Sequence, residues 1–192
     1  MKKMTGWIIG VVVVLGAIGL FLIAPYNKLV GLEQNVDQHE SEIDNKLQRR
    51  ADLIPNLVQT VKGFASHEEK VMADISNARS KMAGAGTTEE KLAANDELSG
   101  ALSRLLVVVE NYPDLKSDKQ FTQLMDELAG TENRISVERS NYNTAVREYN
   151  GAVKRFPTLV AAKILGFSEK SYFKADEGSN KAPSVNFDDG DE

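Results

Sequence analysis

From Met4 to Tyr26 the chain has no charged residue, and most positions are Ile, Val, Leu, Phe, Gly or Ala. Wound as a helix at about 1.5 Å per residue, such a run matches a hydrocarbon core of roughly 30 Å. A cleaved signal peptide shares the basic start and apolar middle. The run is long for that purpose, however, and Pro25 follows Ala24, the most suitable small-residue cleavage site. The sequence therefore predicts a retained transmembrane anchor over residues 1–25, with Trp7 and Tyr26 at headgroup depth near its two ends. Gly6 and Gly10 form a GxxxG pair that would let two anchors pack closely, although glycine is common in transmembrane helices in any case. Lys2, Lys3 and the amino terminus lie on one side of the run, while Lys28 is the first base on the other and Lys46 the next. The positive-inside rule then places the N-terminus in the cytoplasm and the rest of the chain outside it.

Behind the anchor, apolar residues recur at helical spacing, and no run alternates with period two, so the expected fold class is all-α. Val36, Ile43 and Leu47 form a first stripe that breaks near residues 49–52. A second runs through Leu57, Val58, Val61, Phe64, Ala65, Val71, Met72, Ile75 and Met82. Between them lies Pro55, which the first turn of a new helix capped by Asp52 would accommodate. Two helices are expected here, since one unbroken rod would outrun any partner able to cover it. Gly84 and Gly86 mark a loop, and Thr87 with Glu90 makes a capping box for a third helix carrying Leu92, Leu98, Leu102, Leu105, Leu106 and Val109. That helix should stop before Pro113. Ser117 with Gln120 repeats the capping pattern for a fourth, with Phe121, Leu124, Leu128, Ile135, Tyr142, Val146, Tyr149 and Val153 on its stripe. Four amphipathic helices on short connections predict an antiparallel four-helix bundle over residues 26–174. The loops near Arg49–Pro55 and Asn111–Ser117 should then meet at the far end, and the Gly84–Thr88 loop should return to the membrane. Residues 175–192, Gly-, Ser- and Asp-rich, read as a disordered acidic tail.

Several chemistries find no support in the sequence. A net charge of −5 argues against nucleic acid as the main partner, and the absence of cysteine removes disulfides, thiol catalysis and thiolate metal sites. His67-Glu68 begins like a zincin helix, but Val71 stands where the second His is needed. A carboxylate-bridged metal centre needs Glu three residues before each His, and Val36 and Phe64 precede His39 and His67 at that spacing. Gly84-Ala-Gly86 is a turn, not a phosphate loop. Neither a catalytic site nor a cofactor or metal site is expected.

Two groups of residues are candidates for contact. Arg49, Arg50, Asp52 and Asn56 are expected beside Glu110, Asn111, Tyr112 and Asp114 at the far end, either as a polar network capping helix ends or as a docking surface for a protein. Phe156, Leu159, Val160, Ile164 and Phe167, interspersed with Lys154, Arg155 and Lys163, read either as a short interfacial helix or as a cap on the bundle core. Asn133, Arg134, Asn143 and Asn150 are expected to hydrogen-bond between helices.

Ordered blocks along the chain resemble one family. They are Arg49-Arg-Ala-Asp-Leu-Ile-Pro-Asn-Leu-Val58, Lys62-Gly-Phe-Ala65 with His67-Glu68, Leu105-Leu-Val-Val-Val-Glu-Asn-Tyr-Pro-Asp-Leu115 and Glu127-Leu-Ala-Gly-Thr-Glu-Asn-Arg-Ile135. Tyr142-Asn-x-Ala-Val-x-x-Tyr-Asn150, Arg155-Phe-Pro157 and Gly166-Phe167 complete the set. From Tyr26 to Phe173 the chain looks like a LemA-family protein; Glu40 departs from the pattern, standing where an aromatic residue is usual. The resemblance implies a bacterial inner-membrane protein with a four-helix, up-and-down-type bundle, and no established biochemical activity. Family genes often neighbour an HtpX-type membrane metallopeptidase or a TPM-domain membrane protein, which suggests a part in membrane assemblies. Two functions are thus in view: a membrane-tethered interaction or scaffold module for cell-envelope proteins, and a membrane-surface organiser acting through homo-oligomers and residues 156–167.

Overall fold

A computed structural model describes residues 2–173, and among these all regular structure is helical. The elements are α1 (Lys2–Phe64), α2 (Glu69–Gly84), α3 (Thr88–Val109), α4 (Pro113–Lys116), α5 (Lys119–Lys154) and α6 (Thr158–Leu165). The acidic tail lies outside the described residues, as do the side chains of residues 2–6, 9, 11, 14, 15, 17, 18 and 20. Among the described residues no helix is long and apolar enough to cross a membrane. The expected anchor falls in large part on those side chains, and so outside the described residues.

The expected break near Asp52 is absent: α1 runs 63 residues with Pro25 and Pro55 inside it. A proline inside a helix orphans the carbonyl four residues earlier. For Pro55 that carbonyl belongs to Ala51, and Arg79 of α2 donates its Nε–H to it at 3.0 Å. A side chain from the neighbouring helix thus replaces the missing backbone donor, and Asp52, instead of capping a new helix, is exposed and accepts from Gln48 at 2.8 Å.

The rod finds cover because its partners are staggered. α1 packs chiefly on α5, and α2 on α3. Chain direction alternates, since Arg49 pairs with Glu127 and His39 with Glu138. The α2–α3 hairpin covers only the upper part of α1. At its lower end Thr88 and Lys91 bond Asp44, about 27 Å along α1 from Tyr26 at 1.5 Å per residue. The Gly84–Thr88 loop therefore stops halfway down the rod and does not return to the level of Tyr26, where the expectation put it. α5 alone continues downward, and α6 pairs with both α1 and α5 at the base. At the far end, Tyr112 donates to Glu68 at 2.9 Å, so residues 110–118 meet the α1–α2 turn at 65–68, not residues 49–55.

The core follows the expected stripes: Val36, Ile43, Leu47, Leu57, Val61, Leu98, Leu105, Leu128, Ile135, Val146 and Tyr149 are all buried. Phe64 and Leu106 are instead exposed. The Thr87–Glu90 capping box is formed, with Glu90 N–H donating to Thr87 Oγ1 at 3.2 Å and the Glu90 carboxylate accepting from Thr87 N–H at 3.3 Å. For α5 the cap is Asp118, one residue after the expected Ser117; its carboxylate accepts from Phe121 N–H at 2.8 Å.

Candidate functional site

The eight polar residues expected together at the far end divide between two levels. Glu110, Tyr112 and Asp114 stand at the tip, where Glu110 pairs with Lys116 and Tyr112 with Glu68. The bond to Glu68, with some burial, raises the Tyr112 phenol above its usual pKa. Asn111 is exposed beside them. Arg49, Arg50, Asp52 and Asn56 sit lower on α1; Arg50 is at the level of Asn95, about 21 Å of helix below Val109. Of that lower group, Arg49 reaches Glu127 at 3.8 Å and Asn56 offers its carbonyl to Thr60 at 2.9 Å.

Arg50 is the centre of a different arrangement. It is 3% exposed and bonds Asn95 and Ser99 of α3 and Glu132 of α5, tying three helices in one layer. Asn95, fully buried, donates in turn to Glu132 at 3.1 Å, and Asp96 of α3 meets Arg139 of α5 nearby at 3.7 Å. Burial lowers the Arg50 pKa, opposed by the Glu132 and Asp96 carboxylates. Its Nε has no partner among the described residues. The sequence carried the signal for this layer. Arg50 stands seven residues after Ile43 and seven before Leu57, and Asn95 seven before Leu102, so both are polar residues in apolar heptad positions. Such positions fix the register of neighbouring helices.

The base of the bundle holds the second expected group. α6 buries its small face: Thr158, Ala161 and Ala162 pack inward, Ala161 at 0% exposure. Large apolar side chains on it and just ahead of it point out, with Ile164 62% exposed, Val160 38% and Phe156, two residues before the helix, 77%. Leu159 and Phe167 are half-buried, and the Phe167 ring meets Tyr26 edge-on at 6.1 Å. The helix ends at Gly166, whose φ of 82° is the left-handed conformation that closes a helix; the N–H groups of Gly166 and Phe167 both donate to Ala162 O.

Beyond Gly166 the chain turns back along α5 as an extended strap, residues 168–173. Asn150 brackets the backbone of Lys170, donating to its carbonyl at 2.8 Å and accepting from its N–H at 2.9 Å. Asn143 does the same for Phe173, both bonds at 2.9 Å. These two asparagines therefore hold an extended segment, where inter-helix bonds were expected; Asn133 and Arg134 are exposed. Lys170 bonds Asp37 at 2.6 Å and lies 3.5 Å from Glu33. Burial works to lower its pKa, but these two carboxylates outweigh it and raise the ammonium above its usual value. Phe173 lies against the Tyr142 ring at 4.3 Å.

His39 pairs with Glu138 at 3.3 Å, and His67 is exposed. Among the described residues no group of three His, Asp or Glu side chains is placed to hold a metal ion. The arrangement is one of packing, register and surface, with its asymmetry concentrated at the base.

Residues 39–187 match the LemA family. The chain belongs to the LemA family. Among curated relatives it is 28% identical over 179 residues to the magnetosome protein MamQ 2 of Paramagnetospirillum magneticum, covering 80% of this chain and 66% of the relative. It is 26% identical to the magnetosome protein MamQ of Magnetospirillum gryphiswaldense, covering 79% and 65%. It is 27% identical to the protein LemA of Metamycoplasma hominis, covering 83% and 75%. The chain thus spans about two thirds of the length of the magnetosome relatives it matches.

Proposed function

We propose that this chain is a membrane-anchored helical bundle without catalytic activity, which stands on the bilayer as an interaction or scaffold module for cell-envelope proteins. The observation that carries the reading is the inverted packing of α6. A helix that buries alanines and exposes Val160 and Ile164, with Phe156 exposed just ahead of it, leaves its most apolar face without a protein partner among the described residues. That face lies at the end of the bundle where α1 enters its charge-free run, Phe167 touching Tyr26. A bilayer interface covers such a row with no further protein. The anchor over residues 1–25 supplies the tether, and family neighbours of the HtpX or TPM type are natural clients to examine.

The test uses the full chain in vesicles. With Trp7→Phe removing the native indole, Phe156→Trp should be quenched by lipids brominated near the headgroup, and alkaline carbonate should leave the chain in the membrane pellet. An unquenched indole at position 156 would overturn the placement of α6; release by carbonate would overturn the anchor. The exposed row also favours a second reading, a membrane-surface organiser shaping the bilayer through homo-oligomers. Clustering or tubulation of vesicles by the full chain is expected of that organiser and not of a passive scaffold.

A further inference from the structure

At the foot of the bundle α1 and α5 part to leave a groove of about 560 Å³. On the α5 side Arg147 lies one turn before Gly151, a residue with no side chain, and Arg155, at the C-cap of the helix, follows four residues after it; all three line the groove. A Cβ built on Gly151 would meet nothing within 4 Å, so the notch between the arginines is open. From α1, Lys28 and Leu32 form the facing wall, and Phe156–Thr158 close the lower end. Among the described residues Lys28, Arg147 and Arg155 take part in no ion pair, unlike Lys81, Lys91, Lys116, Lys154 and Lys170. Glu148 is the one carboxylate on the lining. Three cations without an ion pair among the described residues thus surround an open notch in a chain whose net charge is −5.

We propose that this groove binds the phosphate of an anionic lipid headgroup, with Arg147 and Arg155 gripping it across Gly151 and Lys28 closing from α1. Arginine is suited to the part, because its planar fork meets phosphate oxygens through two parallel bonds. The source of the phosphate follows from position. Phe156 lines the groove and is exposed just ahead of α6, which exposes Val160 and Ile164, so an acyl chain leaving the headgroup has an apolar surface beside it. Lys28 stands two residues past Tyr26, at the edge of the charge-free run. The site rests on the membrane placement proposed above and adds a lipid class to it: a net-negative headgroup is preferred over a zwitterionic one.

The experiment is native mass spectrometry of the full chain released from mixed micelles of phosphatidylglycerol and phosphatidylcholine in equal amounts. The expected result is a retained phosphatidylglycerol adduct at least about fivefold more abundant than the phosphatidylcholine adduct, on the order of 1 kcal/mol of preference. Gly151→Leu is the sharpest variant: it fills the notch without touching a charge, and replaces the residue least suited to a helix interior with a good helix former. It should abolish the preference while the thermal midpoint stays level or rises. Lys28→Gln with Arg147→Gln should abolish it as well. Equal retention of both lipids by the wild-type chain, or a preference that survives Gly151→Leu, would overturn the proposal. Loss of the adduct to millimolar inorganic phosphate would show that the groove takes free phosphate, and would overturn the lipid as its occupant. Bromolipid quenching of the indole introduced by Phe156→Trp is read on the same variants. Quenching that persists while the lipid preference is absent separates failure of the groove from failure of the membrane placement.

Discussion

Arg50 joins three helices in one buried polar layer. Its guanidinium is removed from water, and it is tolerated because α3 and α5 deliver Asn95, Ser99 and Glu132 to it. Taking away one member of such a group strands the others. Arg50→Ala leaves Asn95 fully buried and Glu132 without its cation, and is expected to lower the unfolding free energy by about 3 kcal/mol, the lower end for a broken buried pair because Glu132 is partly solvated. Replacing the layer as a whole is a different perturbation. Arg50→Met with Asn95→Leu and Glu132→Leu removes every polar group together and is expected to fall within about 1 kcal/mol of wild type. Urea unfolding of the two variants in the same detergent checks this. Equal losses would show that the three side chains do not act as a layer.

At the scale of elements, the same non-local logic explains α1. Pro55 ought to interrupt it, and the interruption is averted by a donor 28 residues away from the orphaned carbonyl, Arg79 on α2. Arg79→Ala should therefore cost about 1–2 kcal/mol in the native sequence, since it leaves Ala51 O unpaired. In a Pro55→Ala background, residue 55 regains its N–H, the helix satisfies Ala51 O itself, and Arg79→Ala should cost at least about 1 kcal/mol less. A double-mutant cycle measured by thermal or urea unfolding gives that coupling, and a value near zero would mean that the proline is accommodated some other way. What was legible in the sequence divides along this line. The apolar stripes of α3 and α5 depend only on 3.6-residue spacing, and Leu98, Leu102, Leu105, Leu128 and Ile135 are buried where that spacing puts them. The end of α1 depended on a side chain from another helix and could not be read from the neighbourhood of Pro55. The strap was equally hidden, because Asn143 and Asn150 recognise its backbone, which leaves no pattern in residues 168–173. In α6 the run of apolar residues was plain, but its orientation was not: either face could have been buried until Ala161 and Ala162 met α1 and α5. Arg50 was legible in principle, as the polar member of an apolar heptad, and the expected far-end cluster misplaced it by assuming a helix break that does not occur.

For the molecule as a whole, continuity of α1 makes orientation a single question. On the anchoring proposed above, a helix that carries the charge-free run and then the bundle core without interruption commits the bundle to the side where α1 continues past Tyr26. Positive charge near the ends of a spanning segment sets that side, with the richer end retained in the cytoplasm. Lys2, Lys3 and the amino terminus oppose Lys28 alone, so the bundle should face outward by a narrow margin. A narrow margin is also easy to reverse. Lys2→Ser and Lys3→Ser strip one end, while Gly31→Lys and Gln34→Lys load the other at exposed positions on α1; a Cβ at Gly31 meets nothing within 4 Å, so the fold should tolerate the change. In spheroplasts a C-terminal tag on the native sequence should be digested by added protease, and the same tag on the variant carrying all four changes should be protected until the membrane is opened. Protection of the native tag would place the bundle in the cytoplasm and redirect the search for partners there. Digestion of both would mean that the folded bundle, not the flanking lysines, determines which side it occupies.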